Sequence, residues 1–168
     1  MKFKYLIDAN IFIQAKNFHY GFDTFPGFWK WLDSENKNHL ICSINKICDE
    51  LMNGNDELAA WAKARKTGEW FLAVDDKETQ TKLSEIANWV VHPKQGFTER
   101  AHADFLNKAD PWLIAKAAVI GATVVTHEKF NAERKNKIHI PNVCRAFKVE
   151  YIDIFDLIRK TGVKFGMQ

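Results

Sequence analysis

Short apolar runs alternate with stretches of helical spacing along this chain, and that alternation predicts an α/β fold with a mostly parallel sheet. Three observations carry the prediction. Tyr5-Leu6-Ile7 is a compact apolar run, as a strand buried on both faces would be. Ala122-Thr123-Val124-Val125-Thr126 is a second such run, far along the chain. Between them lie segments whose apolar residues recur at three and four positions, the mark of amphipathic helices.

The elements follow in order. After the first strand, residues 11–18 read as a helix that ends near Asn17, with Asn10 as its N-cap. The aromatic stretch from Phe22 to Leu32 reads as a loop entering a second helix, its rings serving core and lid packing. Residues 39–42 read as a strand, and Ser43 caps a helix from Ile44 to about Met52. Asn53-Gly54-Asn55 terminates that helix. Asp56 caps a helix through Lys66, and Asp75-Asp76 opens one through about Val91 that His92-Pro93 ends. A helix from Thr98 to about Asn107 follows. Asp110-Pro111 then starts a helix running from Trp112 to Ile120, with Asp as cap and Pro at the first helical position. Gly121 closes it. Lys129 to Lys137 is polar and basic, a loop. Val143 to Phe147 reads as a short helix, Val149 to Asp153 as a last strand and Ile154 to about Thr161 as a last helix.

Composition narrows the class. With 168 residues, 46% of them hydrophobic and 27% charged, the chain suits one globular domain over residues 1–168 with a good core. No apolar run approaches the length of a membrane span, so no membrane partner is expected. Met1-Lys2-Phe3-Lys4 leads straight into a strand rather than a signal peptide. Cys42, Cys48 and Cys144 are odd in number and sit in mostly apolar surroundings, which reads as reduced thiols of a cytoplasmic protein. Their spacing does not suit zinc. A net charge of +3 permits a polyanionic substrate without arguing for one.

Chemistry concentrates in four carboxylates. Asp8 follows the first strand at once, on the rim where open α/β sheets bind ligands. Glu128 stands just past the strand ending at Val125. Glu50 lies on the border of the apolar face made by Ile44, Ile47, Cys48 and Leu51, while Asp49 points to solvent. Glu50 and Asp110 are both read as lying on helices that start after strands. Oxygen ligands from several elements at one sheet edge are what a hard cation needs. Asp75-Asp76 is read as a helix start, and Asp104 is left undecided between a solvated position and the site, being close in sequence to Asp110. His127-Glu128 is not a zinc-protease motif, because Asn131 stands where its second His belongs.

Leu6-Ile7-Asp8-Ala9-Asn10, Glu50-Leu51, Ala109-Asp110-Pro111-Trp112-Leu113-Ile114-Ala115 and Val124-Val125-Thr126-His127-Glu128-Lys129-Phe130 together resemble a PIN-domain nuclease, in that family's order and over nearly the whole chain. Phe25-Pro26-Gly27-Phe28-Trp29 and Ile140-Pro141-Asn142-Val143-Cys144 resemble a PIN-like branch of uncharacterised bacterial proteins more than a typical VapC toxin. The resemblance implies a three-layer α/β/α sandwich and a Mg²⁺- or Mn²⁺-dependent endoribonuclease. It implies that Asp8, Glu50 and Asp110 are the core acids and that Asn10 and Thr126 orient them. Glu128 falls where the family usually has Asp. The implied partners are an RNA substrate, an antitoxin protein and a second copy of the chain.

Lys129, Arg134, Lys135 and Lys137 begin directly after Glu128 and read either as a solvated loop or as a grip on substrate phosphates. Trp112 reads as core rather than as a stacking platform. Two rival readings remain: a catalytically weak or inactive PIN-fold module that binds a partner protein, and a structure-selective DNA nuclease. A nucleotide-binding α/β protein fails for want of a glycine-rich loop after the first strand. The oxygens of Asp8, Glu50, Asp110 and Glu128 are therefore expected to converge at the carboxyl edge of a parallel sheet.

Overall fold

The computed structural model describes residues 3–167. Five strands form one parallel sheet in the order β3-β2-β1-β4-β5, with helices packed on it as a three-layer α/β/α sandwich. The strands are β1 (Tyr5–Ile7), β2 (Ile41–Ile44), β3 (Phe71–Leu72), β4 (Thr123–Val125) and β5 (Tyr151–Ile152). The helices are α1 (Ala9–Gln14), α2 (Pro26–Lys37), α3 (Asn45–Met52), α4 (Glu57–Ala64), α5 (Lys77–Val91), α6 (Glu99–Leu106), α7 (Asp110–Ile120), α8 (Ile140–Ala146) and α9 (Ile154–Thr161). A π-helical turn, Ala15–His19, extends α1. No helix among the described residues is long and apolar enough to cross a membrane.

The chain steps outward through β1, β2 and β3, then returns to place β4 on the other side of β1. The strand order therefore reverses between β1 and β4, which opens a crevice at their carboxyl ends. Tyr5 pairs with Ile41 on one side and Thr123 on the other, and Ile7 pairs with Val125. Leu6, Ile7, Val124 and Val125 are fully buried, as expected of strands covered on both faces.

Helix α7 fixes the layout. It is apolar nearly all round and packs against α5, α6, α8 and the three central strands. Its one lysine, Lys116, reaches Asp76 Oδ1 at 2.9 Å. Asp76 also caps α5 through the Thr79 N–H. Burial alone would raise the Asp76 carboxyl, but the Lys116 and Thr79 bonds hold it down at about 2. Gly121 ends α7 at φ 71°, a left-handed conformation that a side chain would strain.

Several expected details shift. Asn10 is not the N-cap of α1. Asp8 holds that position, and Asn10 sits exposed inside the first turn. Ser43 does not cap α3 but lies in β2, because the strand continues to Ile44 against a partner, β3, too short to leave a pattern in the sequence. Asp110 is the first residue of α7 rather than its cap. Ala109 already has helical dihedrals, which puts Pro111 at the second position. Helix α7 also follows α6 rather than a strand, so only Glu50, among the two helical carboxylates, fits the expected strand-to-helix placement. Helix α8 starts at Ile140, not Val143, since Pro141 is accommodated in its first turn.

The aromatics after His19 are core, as read. Tyr20 stacks on Phe28 at 4.4 Å, and Phe165 from the C-terminal segment closes over Tyr20, Phe25, Phe28 and Trp31. Trp112 is half-buried against the core with Lys46 Nζ 5.2 Å above its ring. All three cysteines are free and buried.

The fully buried Ser43 hydroxyl donates to the Ile7 carbonyl at 2.6 Å and so pins the last residue before Asp8. Ser43→Ala should lower stability by about 1 kcal/mol. Urea denaturation should show this as a lower midpoint with an unchanged slope, and an unmoved midpoint would contradict it.

Candidate functional site

The crevice between β1 and β4 is a cleft of about 450 Å³. Asp8, Glu50, Asp110 and Glu128 all line it, Asp8 and Glu128 from the turns after β1 and β4, Glu50 from α3 and Asp110 from α7. Asp104 on α6, exposed to solvent, adds a fifth carboxylate to the lining. Among the described residues, no three His, Cys, Asp or Glu side chains stand as a ready-made metal cage. The carboxylates instead surround an open space.

Asp8 leaves β1 at the N-cap position of α1 yet makes no capping bond with its side chain. It is 2% exposed, and its Oδ2 accepts from the Thr126 hydroxyl at 3.1 Å. The same Thr126 oxygen accepts from the Glu128 N–H at 3.1 Å. One buried threonine thus links the ends of β1 and β4. Burial pushes the Asp8 carboxyl well above its usual range, and the negative charges of Asp110 and Glu128 push it further. The Thr126 hydroxyl and the Ala9 amide pull the other way.

Glu50 is exposed on its outer side, but its Oε1 accepts from the Ala109 N–H at 2.9 Å. Ala109 is the capping residue of α7 and has no side-chain oxygen of its own, so a carboxylate from α3 satisfies that helix terminus. The bond also holds Glu50 next to Asp110. Burial raises the Asp110 carboxyl to about 7, with Glu128 and Glu50 adding to the rise and Lys108 and Lys137 opposing it.

Glu128 is tied differently. Its Oε2 accepts from the Ile140 N–H at 3.3 Å, at the start of α8. Its Oε1 lies 3.6 Å from Lys137 Nζ and 3.9 Å from His139 Nδ1. Burial lowers the His139 pKa against the opposing pull of Glu128. The longer arm of Glu, relative to Asp, is what lets this carboxylate reach across to α8.

The expected supporting residues divide. Thr126 bonds to Asp8 directly, whereas Asn10 lines the cleft without a hydrogen bond to any of the four carboxylates among the described residues. Of the four basic residues, Arg134 and Lys137 line the cleft. Lys129 lies in a neighbouring groove, and Lys135 sits 5.2 Å over the Phe97 ring, because the loop turns between them. Lys108 and Asn136 also line the cleft. Lys108, two residues before Asp110, was within reach of the sequence reading. Asn136 carried no signal.

The fold and the cleft define an α/β protein with an acidic pocket at the point where its parallel sheet reverses order. The chain belongs to the family described as a domain of unknown function (DUF4411), which it matches over residues 5–165. Comparison with curated proteins finds no match.

Crowded carboxylates carry a stability cost with a defined pH window. Between the ordinary carboxyl value of 3.8 and about 7, folded Asp110 keeps a proton that the unfolded chain gives up. The folded state binds more protons there, so its stability falls as pH rises through that window. Without divalent ions, Asp110→Asn should therefore stabilise the protein at pH 8, on the order of 1 to 3 kcal/mol. The gain should vanish below about pH 4, where both forms of the chain are protonated. Denaturation at the two pH values checks this, and equal destabilisation at both would contradict it.

Proposed function

We propose that this protein is a metal-dependent nuclease of PIN-like type that hydrolyses phosphodiester bonds in single-stranded RNA. One observation carries the reading: four carboxylates from four separate parts of the chain face one cleft at the switch point of a parallel sheet. Such crowding costs folding free energy in the absence of a counter-charge. The donor set suits Mg²⁺ or Mn²⁺. Its donors at the centre of the cleft are carboxylate oxygens, and Mg²⁺ is commonly held by only one or two carboxylates while keeping several waters. An open cleft without a closed cage agrees with that habit.

In this reading Asp8 and Asp110 hold the cation, Glu50 flanks it, and Glu128 lies further out. A bound divalent ion would supply an activated water and neutralise charge on the attacked phosphate. The chain's own residues do the rest. Thr126 keeps one Asp8 oxygen fixed. The Glu50–Ala109 bond sets the start of α7 and hence the Asp110 position. Lys108, Arg134 and Lys137 line the wall where a substrate phosphate would lie, so they can position it. The absence of a Ser, Cys or His in an activating motif argues for direct attack by water without a covalent intermediate. A toxin role with a protein antitoxin, a cytoplasmic site of action and a dimeric state belong to the same proposal.

Cleavage of labelled RNA and DNA oligonucleotides tests the class. RNA should be cut with Mg²⁺ or Mn²⁺ and left intact in excess chelator, and Asp8→Asn should remove the activity while keeping the fold. Full activity in chelator would sink the proposal. Cutting of DNA alone would transfer it to the rival nuclease class.

Glu128 offers a ranking test. Its carboxylate is partly committed to the Ile140 N–H and to Lys137. Glu128→Ala should thus reduce the cleavage rate less than Asp8→Asn or Asp110→Asn does, and Glu128→Asp should retain measurable activity. Rates at saturating Mg²⁺ and Mn²⁺ decide it. If Glu128→Ala is as inactive as Asp8→Asn with both metals, the four acids rank equally.

A further inference from the structure

A second groove, of about 600 Å³, lies beside the acidic cleft. Glu128 lines both, so the two meet at that side chain. The second groove runs over the carboxyl ends of β4 and β5 and the start of α9. Its chemistry differs from that of the cleft. Phe130 and Phe155 present exposed rings, at 39% and 38% exposure, although both are large apolar residues. The His127 ring stands 6.2 Å from Phe155. The Arg145 guanidinium lies 3.8 Å over the Phe130 ring, and its Nε donates to the Tyr151 hydroxyl at 3.0 Å. Lys129 adds a second cation.

Besides the shared Glu128, the groove contains two further acids, Asp153 and Asp156, and both have partners. Asp153 accepts from the Asp156 N–H at 2.8 Å as the cap of α9, and Asp156 faces Arg159 at 3.4 Å. The cations are placed otherwise. A guanidinium held over an aromatic ring by a hydroxyl at one edge has further N–H groups that can bond a phosphate.

Exposed aromatic rings interleaved with Arg and Lys are the composition that grips single strands: bases stack on the rings and phosphates meet the cations. We propose that this groove is the path of the single-stranded RNA leaving the acidic cleft, with bases stacked on Phe155 and Phe130 and a backbone phosphate held by Arg145. This rests on the nuclease reading for the identity of the strand. It adds a site that accounts for substrate grip outside the acidic cleft. Duplex fits poorly, because its bases are already stacked on one another and offer no free faces.

Fluorescence anisotropy on an Asp8→Asn parent tests the path without cleavage. The probes are a labelled 12-residue oligouridylate and an abasic ribose-phosphate strand of equal length. Phe155→Ala should weaken oligouridylate binding about tenfold and leave the abasic strand unchanged. Arg145→Gln should weaken both strands. Phe155→Trp, which keeps a stacking face, should bind at least as tightly as the parent. Thermal melts establish that each variant is folded, and Phe130→Ala stands in for Phe155→Ala should the latter unfold. Unchanged oligouridylate binding in both Phe→Ala variants would overturn the groove while leaving metal-dependent cleavage by the unaltered protein intact. Loss of that cleavage activity, with these binding differences preserved, would remove the nuclease chemistry and keep the groove.

Discussion

Mutual repulsion among carboxylates at the carboxyl ends of β1 and β4 is the constraint to which the surrounding structure answers. Asp8 is buried and Asp110 partly so, and each is pushed toward its neutral form by burial and by the other acids. Left to relax, such side chains would turn away from one another. The scaffold denies them that freedom. Ser43 pins the carbonyl just before Asp8, Thr126 holds an Asp8 oxygen, and Glu50 is bound to the amide that begins α7. A sheet buried on both faces gives these anchors a rigid base.

The core elements were legible because their signals are local. Tyr5–Ile7 and Thr123–Val125 stood out as apolar runs, and the helix starts at Asp56, Asp76 and Thr98 each bond to the amide three residues on. What escaped depended on distant partners. Strand β3 has two residues, and only its pairing with Ser43 and Ile44 makes it a strand. Ser43 looked like a helix cap because serine is a good one, yet its hydroxyl goes to Ile7, 36 residues away. Asp110 looked like a cap beside proline, but Glu50 from another helix takes up the capping.

The candidate site shows the same division. Asp8 and Glu128 could be placed from the ends of their strands, and Glu50 from its helical border. The shared cleft was expected from the placement of these acids and from the family resemblance, since no local signal shows β4 returning beside β1. The split of the basic loop was also invisible: Arg134 and Lys137 turn inward while Lys129 and Lys135 do not, a choice made by loop geometry. Asn10 was misread because its position suited a cap that Asp8 already occupies.

The central claim is that the crowded acids exist to hold a divalent cation. A crystal grown in saturating Mn²⁺ and recorded at the manganese absorption edge tests it most directly. The account predicts an anomalous peak in the cleft against the carboxylate oxygens of Asp8 and Asp110, absent from the Asp8→Asn protein. A cleft with no peak, in which Asp8 and Asp110 share a proton in a direct hydrogen bond, would contradict it.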